Sequence, residues 1–286
     1  MKWQGRRKSS NVQRGGGPRS PLVFGGGIGG VVLLLLYFLL GGDVSNLPTD
    51  NTPVNTTPAQ RTEEQAVLED FLSVVLADTE DVWHEKFSEY GLSYTEPKMT
   101  LYNDATQAGC GVAQSNMGPF YCPLDQTVYI DVSFYNDLKN TFGADGDFAF
   151  AYVLAHEIGH HVQNQLNVIN QVQPLRNKLS EKDYNKYSVA MELQADYFGG
   201  LFAYYIREKG YLESGDIEEA MNAAASIGDD RIQKMSGQEI NADNFTHGTS
   251  KQRKDAFDQG FKYHDLEHAM QFFDGLDYKI EFQKTR

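Results

Sequence analysis

Cysteine is nearly absent from this chain: 286 positions hold only Cys110 and Cys122. Two thiolates cannot make a structural zinc site by themselves, because such a site needs four ligands. Acidic residues are missing from the first 42 positions, while Lys2, Arg6, Arg7, Lys8, Arg14 and Arg19 all fall within the first 20. The remainder then carries 19 basic residues against all 39 acidic ones, a net charge of −20. That balance leaves no basic surface for phosphate and sets nucleic acid aside as a partner. It suits a soluble acidic domain. Long apolar runs are scarce too. There is one, from Leu22 to Leu40, and no internal repeat accompanies it.

That single run is apolar throughout from Val31 to Leu40 and Gly-rich before it. At about 1.5 Å per residue it reaches roughly 28 Å, enough to cross a bilayer core. Positive charge ahead of it predicts a cytoplasmic N-terminus and a periplasmic or extracellular remainder. A cleaved signal peptide is the alternative, although no small-x-small site follows the run. The expected plan is a basic cytoplasmic segment over 1–21, a transmembrane helix over 22–40, a flexible linker over 41–61 and one domain over 62–286. The linker carries Pro48, Pro53 and Pro58 among Thr and Asn, a composition that cannot build a core.

Within the domain the patterns predict an α+β fold, mostly helical. Thr62-Glu63-Glu64-Gln65 is a capping box, followed by Val67, Phe71, Val74 and Val75 at helical spacing. A second short helix is expected from Thr79 to Tyr90, with Trp83 and Phe87 as core contacts, His84 on the surface and Gly91 as its stop. Met99–Tyr102, Phe120–Cys122 and Thr127–Asp131 read as strands, the last two joined by a turn over 123–126. Both cysteines fall within this stretch. Outside a membrane such a pair favours a disulfide, worth about 3 kcal/mol in the chain-entropy model. In the cytosol both thiols would stay reduced.

The chemistry begins at His156-Glu157-Ile158-Gly159-His160, an H-E-x-x-H motif that continues the apolar segment Phe148–Ala155. Asp147 is the expected N-cap. One helical turn separates the two histidines, so both imidazoles share a face and can grip one zinc ion. Glu157 lies beside that face, where a carboxylate can take a proton from activated water. A hydrolytic zinc site needs a third protein ligand and an open position. Glu192, thirty-two residues past His160, is the candidate for that ligand. Asp196 shares its face on a helix expected to start at a capping Asp183 and run to Lys209, with Gly210 as its stop. Two acids on one face repel unless paired. Glu192 on zinc and Asp196 on the free N–H of a ligand histidine removes the conflict. Gly199 and Gly200 would let this helix pack closely. A further helix begins at Asp216, with Ala220, Met221, Ala224 and Ile227 as its apolar stripe and Gly228 as its end. His161 points away from the zinc face, and His264 and His268 are expected to be exposed.

Several blocks together give a resemblance to the bacterial family named putative neutral zinc metallopeptidases, a membrane-anchored, zincin-like group. They are Met1–Arg7, Gly118–Pro123, His156–His161, Glu192–Asp196, Gly215–Ala220, Ile227–Asp230 and Thr246–Ser250. The resemblance covers almost the whole chain. It departs at Ala256-Phe257, where the family pattern has Trp-Phe. It implies a zincin-like domain in which His156, His160 and Glu192 bind zinc, Glu157 is the general base and Asp196 orients a histidine. His247, followed by Arg253, resembles the His…Arg segment of membrane-associated gluzincins of the prenyl-protein peptidase type. That makes His247 the candidate oxyanion donor, against a purely structural histidine. The expected function is a membrane-anchored zinc endopeptidase acting on peptides or proteins. The alternative is a zinc-containing module that binds peptides without cutting them.

Overall fold

In the computed structural model of the protein, residues 1–15 and 62–283 are described. The first element is a short strand, β1 (Val12–Arg14). The capping box then forms as its sequence predicts. Thr62 Oγ1 accepts the Gln65 backbone N–H, and Gln65 Oε1 accepts that of Thr62. It opens α1 (Glu63–Glu89), one continuous helix of 27 residues. The break expected at Thr79 is absent. The Thr79 hydroxyl donates back to the Leu76 carbonyl within the same helix instead of capping a new one. Trp83 and Phe87 are buried as expected, and Trp83 meets Phe198 edge-on.

Strands β2 (Lys98–Tyr102), β3 (Ala105–Ala108), β4 (Gly111–Gln114), β5 (Phe120–Cys122) and β6 (Thr127–Asp131) follow. The main sheet has the order β1-β2-β6-β5. β2 pairs in parallel with β1 and β6, and β5 pairs antiparallel with β6. The expected turn is present, with Gln126 at φ 54°. All five residues of β6 are buried, as a strand covered on both faces should be. The β3–β4 hairpin is a feature the alternation did not suggest. Cys110 beside its turn forms a disulfide with Cys122 on β5.

The helical part comprises α2 (Phe134–Asn140), α3 (Asp147–Gln165), α4 (Val168–Val172), α5 (Glu181–Glu208), α6 (Asp216–Ser226), α7 (Asp229–Met235), α8 (Ser250–Tyr263) and α9 (Leu266–Ala269). Two expected caps move. Gly146 caps α3, so Asp147 is its first residue, and the hydroxyl of Ser180, not Asp183, caps α5 by accepting the Asp183 N–H. Gly210 at φ 72° follows the end of α5 as expected. α3 runs through the core, buried without interruption from Phe148 to Gln163. α5 crosses it at Gly159, where a Cβ would stand 3.0 Å from the Ala195 Cα. The glycine inside the motif therefore sets the distance between the two helices that carry the ligands. α8 packs equally closely on α5. A Cβ at Gly200 would strike the Phe257 carbonyl, and one at Gly260 the Tyr197 carbonyl. The small Ala256, where the family pattern has Trp, is buried beside Phe257, whose ring meets Tyr152 at 5.7 Å.

The amino-terminal residues belong to this same body. β1 extends the sheet, and the Met1 side chain sits in the core. The Met1 ammonium lies 2.6 Å from Asp147, 3.2 Å from Glu213 and 3.3 Å from Asp216. Arg6 pairs with Asp78 and lies 3.4 Å over the Tyr211 ring. Arg7 pairs with Glu80 at 2.9 Å and Asp81 at 2.7 Å, and Lys8 with Asp70 at 2.7 Å. Residues 1–15 of the segment expected over 1–21 thus pack on the folded domain, and residues 16–21 lie outside the described residues. The expected transmembrane helix 22–40 and linker 41–61 lie outside the described residues. Among the described residues, no helix is long and apolar enough to cross a membrane.

Candidate metal centre

The crossing of α3 and α5 brings His156, His160 and Glu192 together. The two imidazole rings lie 4.9 Å apart between centroids. His156 Nε2 is 3.2 Å from Glu192 Oε2, and His160 Nε2 is 3.5 Å from Glu192 Oε1. All three side chains are buried. Zinc bonds of about 2.0–2.2 Å imply tetrahedral edges of roughly 3.3–3.6 Å, so this donor set fits the ion. The Nδ1 atoms are engaged elsewhere, which leaves both Nε2 atoms for a metal. Asp196 Oδ1 accepts from His156 Nδ1 at 2.8 Å, and Gln163 Oε1 accepts from His160 Nδ1 at 2.9 Å. Gln163 is fixed in turn, donating to the Met191 carbonyl at 2.6 Å and to Gln194 at 3.1 Å.

The charges explain each other. Burial works against charge on His156, but Asp196 outweighs it and pushes the imidazole up to about 9. Burial takes His160 down to about 4. Burial also opposes a charged Glu192, but His160, His247 and His156 prevail and hold its carboxyl below the usual range. Glu192 faces the two Nε2 atoms, and Asp196 lies behind the His156 ring. The Asp196 support is larger than the sequence suggested. Arg253, buried on α8, donates from Nε to Asp196 Oδ2 at 2.8 Å and from Nη2 to Oδ1 at 2.9 Å, and the Tyr152 hydroxyl donates to Oδ1 as well. Burial would raise Asp196, and Arg253 followed by His156 holds it low instead. Tyr152 lies one turn ahead of His156 on α3, a spacing visible in the sequence. The partner of Arg253 was not visible, because 57 residues separate it from Asp196.

Glu157 is buried in a cleft that it shares with Tyr152, His156, His160, Glu192, His247 and Arg253. Burial pushes its carboxyl up to about 8, with the charge of His156 opposing and that of Glu192 adding. His247 lines the same cleft as the motif. Asp229 on α7 holds it: the Asp229 carboxylate accepts the backbone N–H groups of Thr246, His247 and Gly248 at 2.6 to 3.0 Å, and His247 Nδ1 at 3.1 Å. Asp229 was missed as a functional residue, although it lies in one of the blocks that carry the resemblance. The other histidines stand apart. His161 faces away from the metal site and bonds the Tyr121 hydroxyl at 2.9 Å. His84 is exposed and pairs with Glu96 at 3.0 Å. His268 is exposed, but His264 is not: it is half-buried, stacked on Tyr204 at 3.6 Å. A second carboxylate group, Asp147, Asp216 and Glu219, is already engaged by the Met1 ammonium and the Phe148 N–H.

The family described as "Putative neutral zinc metallopeptidase" matches residues 1–272. The chain belongs to the putative neutral zinc metallopeptidase family. Its match spans the arm, the metal centre and α8 together. Among family relatives, the uncharacterized protein YpfJ of Escherichia coli strain K12 is 46% identical over 275 residues, 91% of this chain and 95% of its own. The uncharacterized protein Rv2575 of Mycobacterium tuberculosis strain H37Rv is 41% identical over 180 residues, 59% of this chain and 60% of its own. No solved structure matches the chain.

Proposed function

We propose that this family member is a zinc-dependent endopeptidase. One observation carries the reading: His156 Nε2, His160 Nε2 and the Glu192 carboxylate turn on one point, with Glu157 beside them in an open cleft. Zinc held there would supply a Lewis acid for the scissile carbonyl and a water acidic enough to attack near neutral pH. Glu157 accepts the proton of the attacking water and returns it to the leaving amine. A purely structural site has no use for that carboxylate. Asp196 and Gln163 hold the ring orientation of the two histidines. His247 donates Nε2–H to the oxyanion, with Asp229 supplying the counter-charge behind the ring. The outer edge of β5, just after the cleft residues Gly118 and Pro119, suits an extended peptide backbone.

The Cys110–Cys122 disulfide supports a working place in an oxidising compartment outside the cytoplasmic membrane. The apolar run 22–40 supports attachment to that membrane. The test uses the zinc-loaded full chain and its Glu157→Gln variant on a diverse peptide library, read by mass spectrometry. Cleavage by the parent alone is expected. Zinc retained by both with cleavage by neither would overturn the hydrolytic reading in favour of a peptide-binding module.

A further inference from the structure

The cleft has a second wall that the chemistry above does not use. Phe134, Phe142, Val153, Ile227 and Ile232 line a recess beside the catalytic groups. The volume of the whole cleft, recess and catalytic groups together, is about 90 Å³. That is far below the several hundred Å³ of a site for a whole drug-sized molecule, so the recess has room for no more than one side chain. Every ionisable group on the cleft is committed elsewhere. Arg253 is spent on Asp196, His247 is held by Asp229, His156, His160 and Glu192 converge as metal donors, and Glu157 is assigned to the attacking water. The recess therefore offers no counter-charge, and burying an unpaired charge there would be costly.

The recess is also preformed. Arg253 Nη1 donates to the Ile227 carbonyl at 3.2 Å, which ties one wall to the network behind His156. Arg231 Nη2 donates to the Phe142 carbonyl at 2.8 Å, which ties the opposite loop to α7. Val153 precedes Glu157 by one helical turn on α3 and shares its side of the helix. A side chain resting on Val153 thus belongs to the residue next to the bond that Glu157 serves.

We propose that this recess is the specificity pocket, and that the protein cleaves beside a medium-sized apolar residue such as Leu, Met or Phe. The inference rests on the peptidase reading above. Hydrophobic pockets discriminate by about 10- to 200-fold per methylene gained or lost, and charged residues should fare worse. Ile232 and Phe142 set the pocket's chemistry and width.

The test aligns the library cleavage sites of the zinc-loaded full chain on the scissile bond. Leu, Met or Phe should be enriched about tenfold or more over Asp and Lys at one flanking position. Ile232→Lys should reduce cleavage beside Leu by about tenfold or more and favour Asp or Glu there. Phe142→Ala, the milder variant, should shift the preference toward larger side chains. Cleavage with no apolar preference overturns the pocket and leaves the peptidase. An unchanged preference in both variants, with melting and zinc content intact, overturns it as well. No cleavage by the parent overturns the peptidase reading instead. Calorimetry on zinc-loaded Glu157→Gln protein then decides the pocket, using a Leu-containing peptide and its Lys counterpart. Tighter binding of the Leu peptide, lost in Ile232→Lys, supports it, and equal binding overturns it.

Discussion

The metal centre and the seam beneath the amino-terminal arm are both crowded with charge, yet they are completed differently. In the seam the chain supplies its own cations: the Met1 ammonium meets Asp147 and Asp216, and Arg6 and Arg7 meet Asp78 and Glu80. In the centre Arg253 is consumed by Asp196, and the two Nε2 atoms and Glu192 face only one another. Paired charges in the seam hold the fold together. Converging donors in the centre could hold an added cation, and among the described residues the seam has no such gathering of unspent donors.

This contrast can be broken most forcefully at Asp196. Asp196→Ala would strand Arg253 in the core, costing about 3–5 kcal/mol of stability, and would free the His156 ring, weakening zinc about 10- to 100-fold. Denaturant melts and zinc titration of the full chain check both. Arg6→Ala should destabilise through the buried Asp78 by up to about 3 kcal/mol while zinc affinity stays unchanged. A shared loss of zinc would mean that the two regions are coupled. Cysteines at the exposed positions Lys8 and Lys251 should label alike with an impermeant maleimide on intact cells. Opposite labelling would return the arm to the far side of the membrane.

The pH dependence separates the regions by sign. Asp229 is held below the usual carboxylate range: burial opposes its charge, and His247 with the surrounding N–H groups prevails. Its contribution is present above the ordinary carboxylate value and is lost as pH falls through the lowered one. Asp229→Asn should therefore cost about 1–3 kcal/mol at neutral pH, with the gap to the parent closing in acid. Burial disfavours the Met1 ammonium, but Asp147 and its neighbours prevail and raise it. The arm should then be firmest below the ordinary amine value and loosen as pH rises through the raised one. The smallest effect is expected at Thr62→Ala, about 1 kcal/mol from the lost cap, visible as a lower melting midpoint with intact zinc binding.

How much of this was legible in the sequence depended on the range of the contacts. His156 and His160 share a face by helical spacing alone, and Glu192 and Asp196 were readable as an acid pair needing two different partners. The cap at Thr62 was written within four residues. Asp147 and Asp183 misled because each had the right chemistry for a cap while Gly146 and Ser180 did the work. Asp147 is turned to a cation 146 residues away. The partners of the arm were hidden for the same reason. Its basic residues look like the flank of a membrane segment, and their carboxylates on α1 lie about seventy positions downstream. Arg253 entered only as the Arg that follows His247 and Asp229 only as a member of the block Ile227–Asp230, because the helix crossings that aim them at the site leave no local pattern.

The central claim is that α3 and α5 together make one three-ligand zinc centre. Its most direct test is a calorimetric zinc titration of the full chain beside His156→Ala, His160→Ala, Glu192→Ala and Glu157→Gln. The expected result is one zinc per chain, bound as tightly by Glu157→Gln and much more weakly by the other three. Full zinc affinity in Glu192→Ala would contradict it.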